Sequence, residues 1–315
     1  MELRRIDPNR DEDHVRAFLS ASDPDDYLLE GLEEWIHEGR LWAGVVDEEW
    51  VAFGRLHDLG GGDGWLSGLR VLASRRREGF GSALLNGLLS DADAMRLRTA
   101  RAVIEDENVA SRGLFARQGF QETVELALRR GETRSGPGPF LRRAARGDRL
   151  DGPLDWIAGE AGLVDLLPGS DGGRFGRWRP SLVDAWIEEG MLYVGPGLAA
   201  VVQMDWWTEP RTLWVDPLRG GAARLFPAVS SLTRELDHDE WQAFLPSGER
   251  DRAEYDRLGL TRHSFWGDRV HLFERELFQS RSAAAGTRGG AEPRREPSAG
   301  SSARSGTRRS RTDGR

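Results

Sequence analysis

Gly68-Leu69-Arg70-Val71-Leu72-Ala73-Ser74-Arg75-Arg76-Arg77-Glu78-Gly79-Phe80-Gly81-Ser82-Ala83-Leu84-Leu85 decides how the chain is read. An apolar strand runs into an Arg- and Gly-rich turn, and the turn opens a helix. Gly79 and Gly81 lack the Cβ atoms that would keep a ligand away from the backbone. The first N–H groups of a helix point out of its end, and the helix dipole favours an anion there. Arg75, Arg76 and Arg77 add charge suited to phosphate. The same residues also suit a tight strand-to-helix turn with no ligand. No Gly-Lys-Ser/Thr occurs, which excludes a P-loop. The spacing is Arg-x-x-Gly-x-Gly, not the Gly-x-Gly-x-x-Gly of a dinucleotide fold.

Outward from this stretch, the first 130 residues read as mixed α and β. Glu2–Ile6 is a short strand, and Asp11–Ser20 and Asp25–Glu38 carry helical spacing, the second ended by Gly39. Leu41–Val46, Trp50–His57 and Trp65–Val71 are runs bounded by Gly, Asp and Glu, which predicts three antiparallel strands. Ser82–Leu89 is a helix, Ala100–Ile104 a strand and Val109–Gln118 a helix stopped by Gly119. Gln121–Arg129 alternates and forms the last strand. The order is β-α-α-β-β-β-α-β-α-β.

Four echoes place a second copy downstream. Leu3-Arg4-Arg5 returns as Leu141-Arg142-Arg143, and Trp35–Leu41 as Trp186–Leu192. Leu69-Arg70-Val71 is echoed by Leu213-Trp214-Val215, and Leu114–Phe120 by Glu254–Leu260. All keep their order at separations near 140–150 residues, which predicts a duplicated domain rather than a short-period solenoid. The Gly/Pro-rich joint 131–139 lies between the copies. The expected domains are 1–136 and 137–278. Residues 279–315 hold nine Arg against three acids and almost no branched apolar side chain, and they read as a disordered tail.

Charge and composition narrow the function classes. The 315 residues carry a net charge of −8, the tail is +6, and the remainder is therefore −14. That balance argues against nucleic acid as a partner, apart from a weak contact of the Arg-rich tail. Cysteine is absent, which excludes disulfides, thiolate metal sites and a Cys nucleophile. None of the six His pairs at metal-ligand spacing. Apolar runs fall far short of the ~18 residues that a membrane span needs. The polar N-terminus is no signal peptide, so a cytoplasmic setting is expected.

Arg76 to Gly81 resembles the acetyl-CoA signature of the GNAT superfamily of N-acetyltransferases, Gln/Arg-x-x-Gly-x-Gly/Ala. Asn108, followed by a helix ending in Leu114-Phe115-Ala116-Arg117-Gln118-Gly119-Phe120, is similar to that family's second signature, and one helix and one strand separate the two. The resemblance covers about residues 2–130, and the second copy shares only the outline. It implies an α+β fold of two tandem GNAT-like domains, each a mostly antiparallel splayed sheet flanked by helices, the second degenerate. It further implies an enzyme that moves an acetyl group from acetyl-CoA to a primary amine on a small molecule or peptide. Pantetheine would pair with the backbone of Leu69, Arg70 and Val71 in the splayed gap. Pyrophosphate would sit on the N–H groups of Arg77, Glu78, Gly79, Phe80, Gly81 and Ser82, and Arg76 opens the same cofactor-binding stretch. Asn108 would bond the pantetheine arm, a role compatible with capping the helix that follows. Phe115 would pack near the thioester.

Amine acylation needs a base for the amine proton. Glu105, Asp106 and Glu107 precede Asn108, and alternation sets Glu105 and Glu107 on one face and Asp106 on the other. Glu105 is the favoured base; the alternative is three solvated loop acids. Glu30, Glu33 and Glu34 read as surface charge. Phe115 stands where many of these enzymes place a Tyr that protonates the leaving thiolate, and it has no proton to give. That departure keeps a second reading open, a CoA-binding sensor or scaffold. The second copy has Tyr255 at this place but, from Val215 to Ala222, no phosphate cradle. It is expected to be CoA-free.

Overall fold

The chain opens with strand β1 (Glu2–Arg5) and helix α1 (Pro8–Ser22). The Asp7 carboxylate accepts from the N–H of Asn9 at 3.1 Å, and Pro8 starts the helix where no N–H partner exists. The single helix expected over 25–38 is instead a 3-10 turn, Tyr27–Leu29, followed by a short α2 (Leu32–Trp35). The buried Asp26 carboxylate accepts from the N–H of Leu28 at 3.1 Å and from Arg70 at 2.7 Å, which favours a turn over a helix. Leu28, Leu32 and Ile36 still reach the core. A meander follows: β2 (Arg40–Val46), β3 (Glu49–Asp58) and β4 (Asp63–Val71). Asp47 and Glu48 both take positive φ, 49° and 68°, as a two-residue hairpin turn requires. Then come α3 (Phe80–Ala94), β5 (Thr99–Glu105), α4 (Val109–Arg117) and β6 (Gln121–Glu132).

The computed structural model describes residues 1–37, 40–133, 139–148, 166–168, 174–177, 180–204, 211–263, 267 and 269–277. The readings of Gly39 as a helix stop, of most of the joint 131–139, and of the tail 279–315 lie outside these. The second half continues with β7 (Arg142–Arg143), β8 (Leu166–Pro168), β9 (Phe175–Arg177), α5 (Pro180–Glu188), β10 (Leu192–Gly195), β11 (Leu198–Met204) and β12 (Thr212–Arg219). It ends with α6 (Ala222–Glu235), β13 (Glu240–Pro246), α7 (Glu249–Arg257), β14 (Thr261–Arg262) and β15 (Val270–Glu276). Among the described residues no helix is long and apolar enough to cross a membrane.

One thirteen-stranded sheet joins both halves in the order β1-β2-β3-β4-β5-β15-β6-β13-β12-β11-β10-β7, with β14 also on β6. The last strands are exchanged. β15 comes from the end of the second half, yet it lies antiparallel between β5 and β6 of the first. In return, Leu126–Glu132 of β6 continue into the second half and pair with β13, while Arg129 and Arg130 pair with β14. β6 is therefore longer than its alternating pattern predicts and closes both halves. Trp65, Val124, Leu126, Leu128, Phe244, Val270 and Leu272 bury one cluster across this joint. Each such side chain contributes about 1.5–3 kcal/mol, so core packing holds the exchange as well as the strand ladder.

Three of the four echoes fall on matching places. β1 and β7 are edge strands, and Trp35 and Trp186 lie in the last turn of the helices before β2 and β10. α4 and α7 end alike, with Phe120 N–H bonded to the Phe115 carbonyl and Leu260 N–H to the Tyr255 carbonyl. The third echo is out of register. Asp63 of β4 meets Thr99 of β5, and Thr212 of β12 meets Glu240 of β13. Leu213–Val215 therefore lie at the paired root of their strand, whereas Leu69–Val71 lie at its far end.

Candidate active site

β4 and β5 are parallel neighbours only from Asp63 to Trp65, opposite Thr99 to Arg101. Beyond Trp65 they part, and β5 pairs along its length with β15 instead. On its other side β4 stays bonded to β3, with Arg70 opposite Phe53 and the Leu72 N–H on the Val51 carbonyl at 3.1 Å. Antiparallel alternation then turns the backbone of Leu69 and Val71 towards the gap. The gap is anchored at its closed end by Arg101, fully buried, which bonds Asp63 at 2.7 Å and Glu274 of β15 at 2.5 Å. Gly68, at φ +65°, makes a bulge in β4; a Cβ there would lie 2.7 Å from the Trp35 ring.

The turn from β4 to α3 forms the rim of the gap. Gly79 precedes the helix at φ +88°, with open space where its Cβ would be and no side chain capping the helix start. The N–H groups of Phe80, Gly81 and Ser82 lie in the first turn, where a helix supplies no acceptor. A Cβ on Gly81 would sit 3.4 Å from Leu114 of α4 and 3.6 Å from Val71 of β4, in the crevice between the two walls of the gap. The three arginines differ in use. Arg75 is held by Glu49 at 2.6 Å and by Glu78 at 3.1 Å, with its guanidinium 5.0 Å over the Phe80 ring. Hydrogen bonding to the Glu78 carboxylate raises its pKa above the ordinary arginine value. Arg76 donates to the Val71 carbonyl at 3.4 Å, and Arg77 takes φ +70°. The Arg70 side chain leaves the gap to bond Asp26.

The far wall carries the acids. Ile104 packs with α3 while Val103 joins the joint cluster on the opposite face, so alternation sets Glu105 on the Val103 side. Asp106 turns towards α4: its carboxylate accepts from Arg112 at 2.8 Å, from Arg269 at 2.7 Å and from His271 at 2.7 Å. Hydrogen bonding from His271, aided by the charges of Arg269 and Arg112, holds this carboxyl below the usual range. Glu107 is exposed. Asn108 caps α4, its side-chain oxygen accepting from the Ser111 N–H at 3.1 Å. Phe115 is buried with its ring centroid 4.8 Å from Phe120 and 6.2 Å from Phe273 of β15.

A splayed parallel pair opening onto an uncapped helix start is the architecture that the signature residues implied. The profile of the acetyltransferase (GNAT) family matches residues 10–120. Residues 10–120 belong to the GNAT family. At the level of reaction class, this makes the first half an acyltransferase domain. Solved structures agree on fold. A candidate acetyltransferase from Thermoplasma acidophilum is 15% identical over 88% of this chain and 100% of its own, at TM-score 0.57. A GCN5-related N-acetyltransferase from Sphaerobacter thermophilus is 16% identical over 88% and 95%, at TM-score 0.56. A candidate acetyltransferase from Pyrococcus horikoshii is 13% identical over 87% and 89%, at TM-score 0.55. No curated protein matches the chain.

In this GNAT domain the structure brings Leu69, Val71, Gly79, Phe80, Gly81 and Ser82 to one crevice, with Asn108 and Glu105 on the facing wall. It turns the Arg70 and Glu78 side chains to ion pairs and buries Phe115 behind the wall. GNAT enzymes use acetyl-CoA or CoA. The residues present fit such a group: a slot that a Cβ at Gly81 would fill, and helix N–H groups for a pyrophosphate. The second half repeats the splay but not the rim. β12 pairs with β13 only from Thr212 to Trp214, and a two-residue turn, Gly220-Gly221, leads directly into α6. A Cβ on Gly220 would lie 2.4 Å from Leu198. Asp216 is fully buried near this end, bonded by the Trp214 indole at 3.2 Å, and burial raises its pKa to about 8. His271 and Arg269 escape a sequence reading because they reach Asp106 through the strand exchange, about 165 residues away in the chain.

Proposed function

We propose that residues 1–136 bind acetyl-CoA, or another short acyl-CoA, and transfer the acyl group directly to the primary amine of a small molecule or peptide. Residues 137–278 are then a GNAT-like partner without a CoA site. The observation that carries the reading is the β4–β5 gap opening onto the uncapped start of α3. Bound acyl-CoA would supply a thioester that an amine attacks as its C–N bond forms and the C–S bond breaks. In this chain, the backbone of Leu69 and Val71 would hold the pantetheine arm as an added strand, with Asn108 on the other wall. The N–H groups of Phe80, Gly81 and Ser82 would bind pyrophosphate. Glu105 would take the amine proton, directly or through water. Phe115 cannot protonate the departing thiolate, so that proton comes from solvent.

Titration calorimetry with acetyl-CoA tests binding, and CoA release followed with a thiol reagent across a panel of amines and peptides tests turnover. The absence of Cys leaves the reagent only the product thiol. Gly81→Leu is expected to abolish the binding heat, and Glu105→Gln to lower turnover at neutral pH more than at high pH. Absence of heat and of competition with CoA overturns the reading. Tight CoA binding with no turnover on any amine supports the sensor instead, which the missing hydroxyl at Phe115 favours.

A further inference from the structure

Every polar atom of Asp106 is engaged, and most of the partners come from the second half. Its N–H donates to the Arg269 carbonyl at 3.0 Å, and its carbonyl accepts from Arg112 at 3.1 Å. One carboxylate oxygen accepts from His271 Nε2 at 2.7 Å and from Arg112 at 2.8 Å; the other accepts from Arg269 at 2.7 Å. The His271 ring, only 2% exposed, also places Nδ1 2.8 Å from a Glu122 carboxylate oxygen of β6. With both carboxylates ionised, both ring nitrogens must carry hydrogen, because a neutral imidazole has only one N–H to give. The adjoining charges are Arg112 of α4, which reaches Asp106 and Glu122, and Arg269, which reaches Asp106 and Glu125. Glu125 also accepts from Ser247 at 2.6 Å. Glu105 stands opposite Val270 in the ladder, and the Asn108 N–H bonds the Glu105 carbonyl at 3.1 Å.

We infer that His271 and Arg269 are positioning residues of the first half's site: through Asp106 they fix the turn Glu105–Asn108, and His271 does so as an imidazolium. This rests on the acyl-transfer reading for its kinetic consequence, but not for the state of the ring. The second half, without a CoA site of its own, thereby holds the first half's proposed base and pantetheine contact in place. Loss of either carboxylate contact loosens the turn. The effect falls mainly on turnover, with a smaller loss of CoA affinity through Asn108, since the helix N–H groups at α3 are untouched.

The test uses the full chain. Nitrogen NMR of the histidine rings in the wild type is expected to show His271 protonated on both nitrogens at the pH of maximal turnover. His271→Gln, which can serve only one of the two carboxylates, should lower kcat about tenfold or more, while the Kd for CoA changes less than about threefold. His271→Arg, which keeps two donors and the charge, should recover most of the rate. A neutral His271 ring at that pH overturns the inference whether or not the variants fold. So does a wild-type rate in His271→Gln, or a parallel fall of kcat and CoA affinity. If CoA neither binds nor turns over, the acyl-transfer reading fails while the ring signal still decides the clamp.

Discussion

Gly68 and Gly79 both take a left-handed backbone conformation within one turn of the gap, yet their surroundings differ. At Gly68 an added Cβ meets the Trp35 ring at 2.7 Å, so Gly68→Ala joins backbone strain to a clash inside a packed wall. A loss of about 2–4 kcal/mol in urea unfolding is expected. At Gly79 nothing lies within 4 Å of the built Cβ, and Gly79→Ala should cost about 1–2 kcal/mol from the backbone alone. Equal costs at the two sites would contradict this packing. Asp216 gives a pH signature. Its folded pKa, raised to about 8, exceeds its unfolded value near 3.8, so the folded state holds a proton that the unfolded state has released. Stability then falls as pH rises between those values, by up to about 1.4 kcal/mol per unit, and levels off above 8. Asp216→Asn should flatten that slope in melting temperature measured from pH 4 to 9. An unchanged slope would show that the carboxyl is ionised in the folded protein.

At the scale of elements, the connection after the splayed strand separates the two halves. Eight residues, Leu72–Gly79, link β4 to α3, whereas Gly220-Gly221 alone link β12 to α6. The longer loop costs little in closure entropy, about 1 kcal/mol. Replacing Leu72–Gly79 by Gly-Gly is therefore expected to leave cooperative unfolding within about 2 kcal/mol of wild type. The shortened turn would pull the start of α3, with the N–H groups of Phe80, Gly81 and Ser82, out of the proposed phosphate position, so the calorimetric heat with acetyl-CoA should disappear. Retained CoA binding in the shortened chain would show that this turn does not set the phosphate position. The rim was legible in the sequence because glycines at fixed offsets from a strand and a helix carry a local backbone requirement. The broken helix at 25–38 was not legible: its apolar spacing is helical, and the Asp26 carboxylate that turns it is held both by the nearby Leu28 N–H and by Arg70, 44 residues on.

Over the whole molecule, the exchange of β15 and the end of β6 makes each half incomplete without the other. Residues 1–136 alone would leave the β5 edge bare from Thr99 to Glu105 and strand Leu126–Glu132 without β13. An open edge of this length recruits other chains. The fragments 1–136 and 137–278, expressed separately, should aggregate or oligomerise, and co-expression should return a 1:1 complex seen by size exclusion. A stable, monomeric 1–136 would show that β15 is dispensable. Limited proteolysis of the full chain should remove 279–315 first and leave a core near residue 278.

Local chemistry was enough to place the strands of the first half, the Gly turn before α3 and the Asn108 cap, because each rests on neighbours in the chain. The resemblance of the two signatures to the GNAT superfamily spans about residues 2–130, and the family profile matches residues 10–120. Only the tertiary structure decided which strand closes which half, since β15 and the end of β6 satisfy the same alternation in either place. It also decided that Asp106, one of three adjacent acids, is the one held by His271 and Arg269. Partners brought together by a strand exchange leave no periodicity in sequence; they are chosen by the ladder that the whole sheet completes.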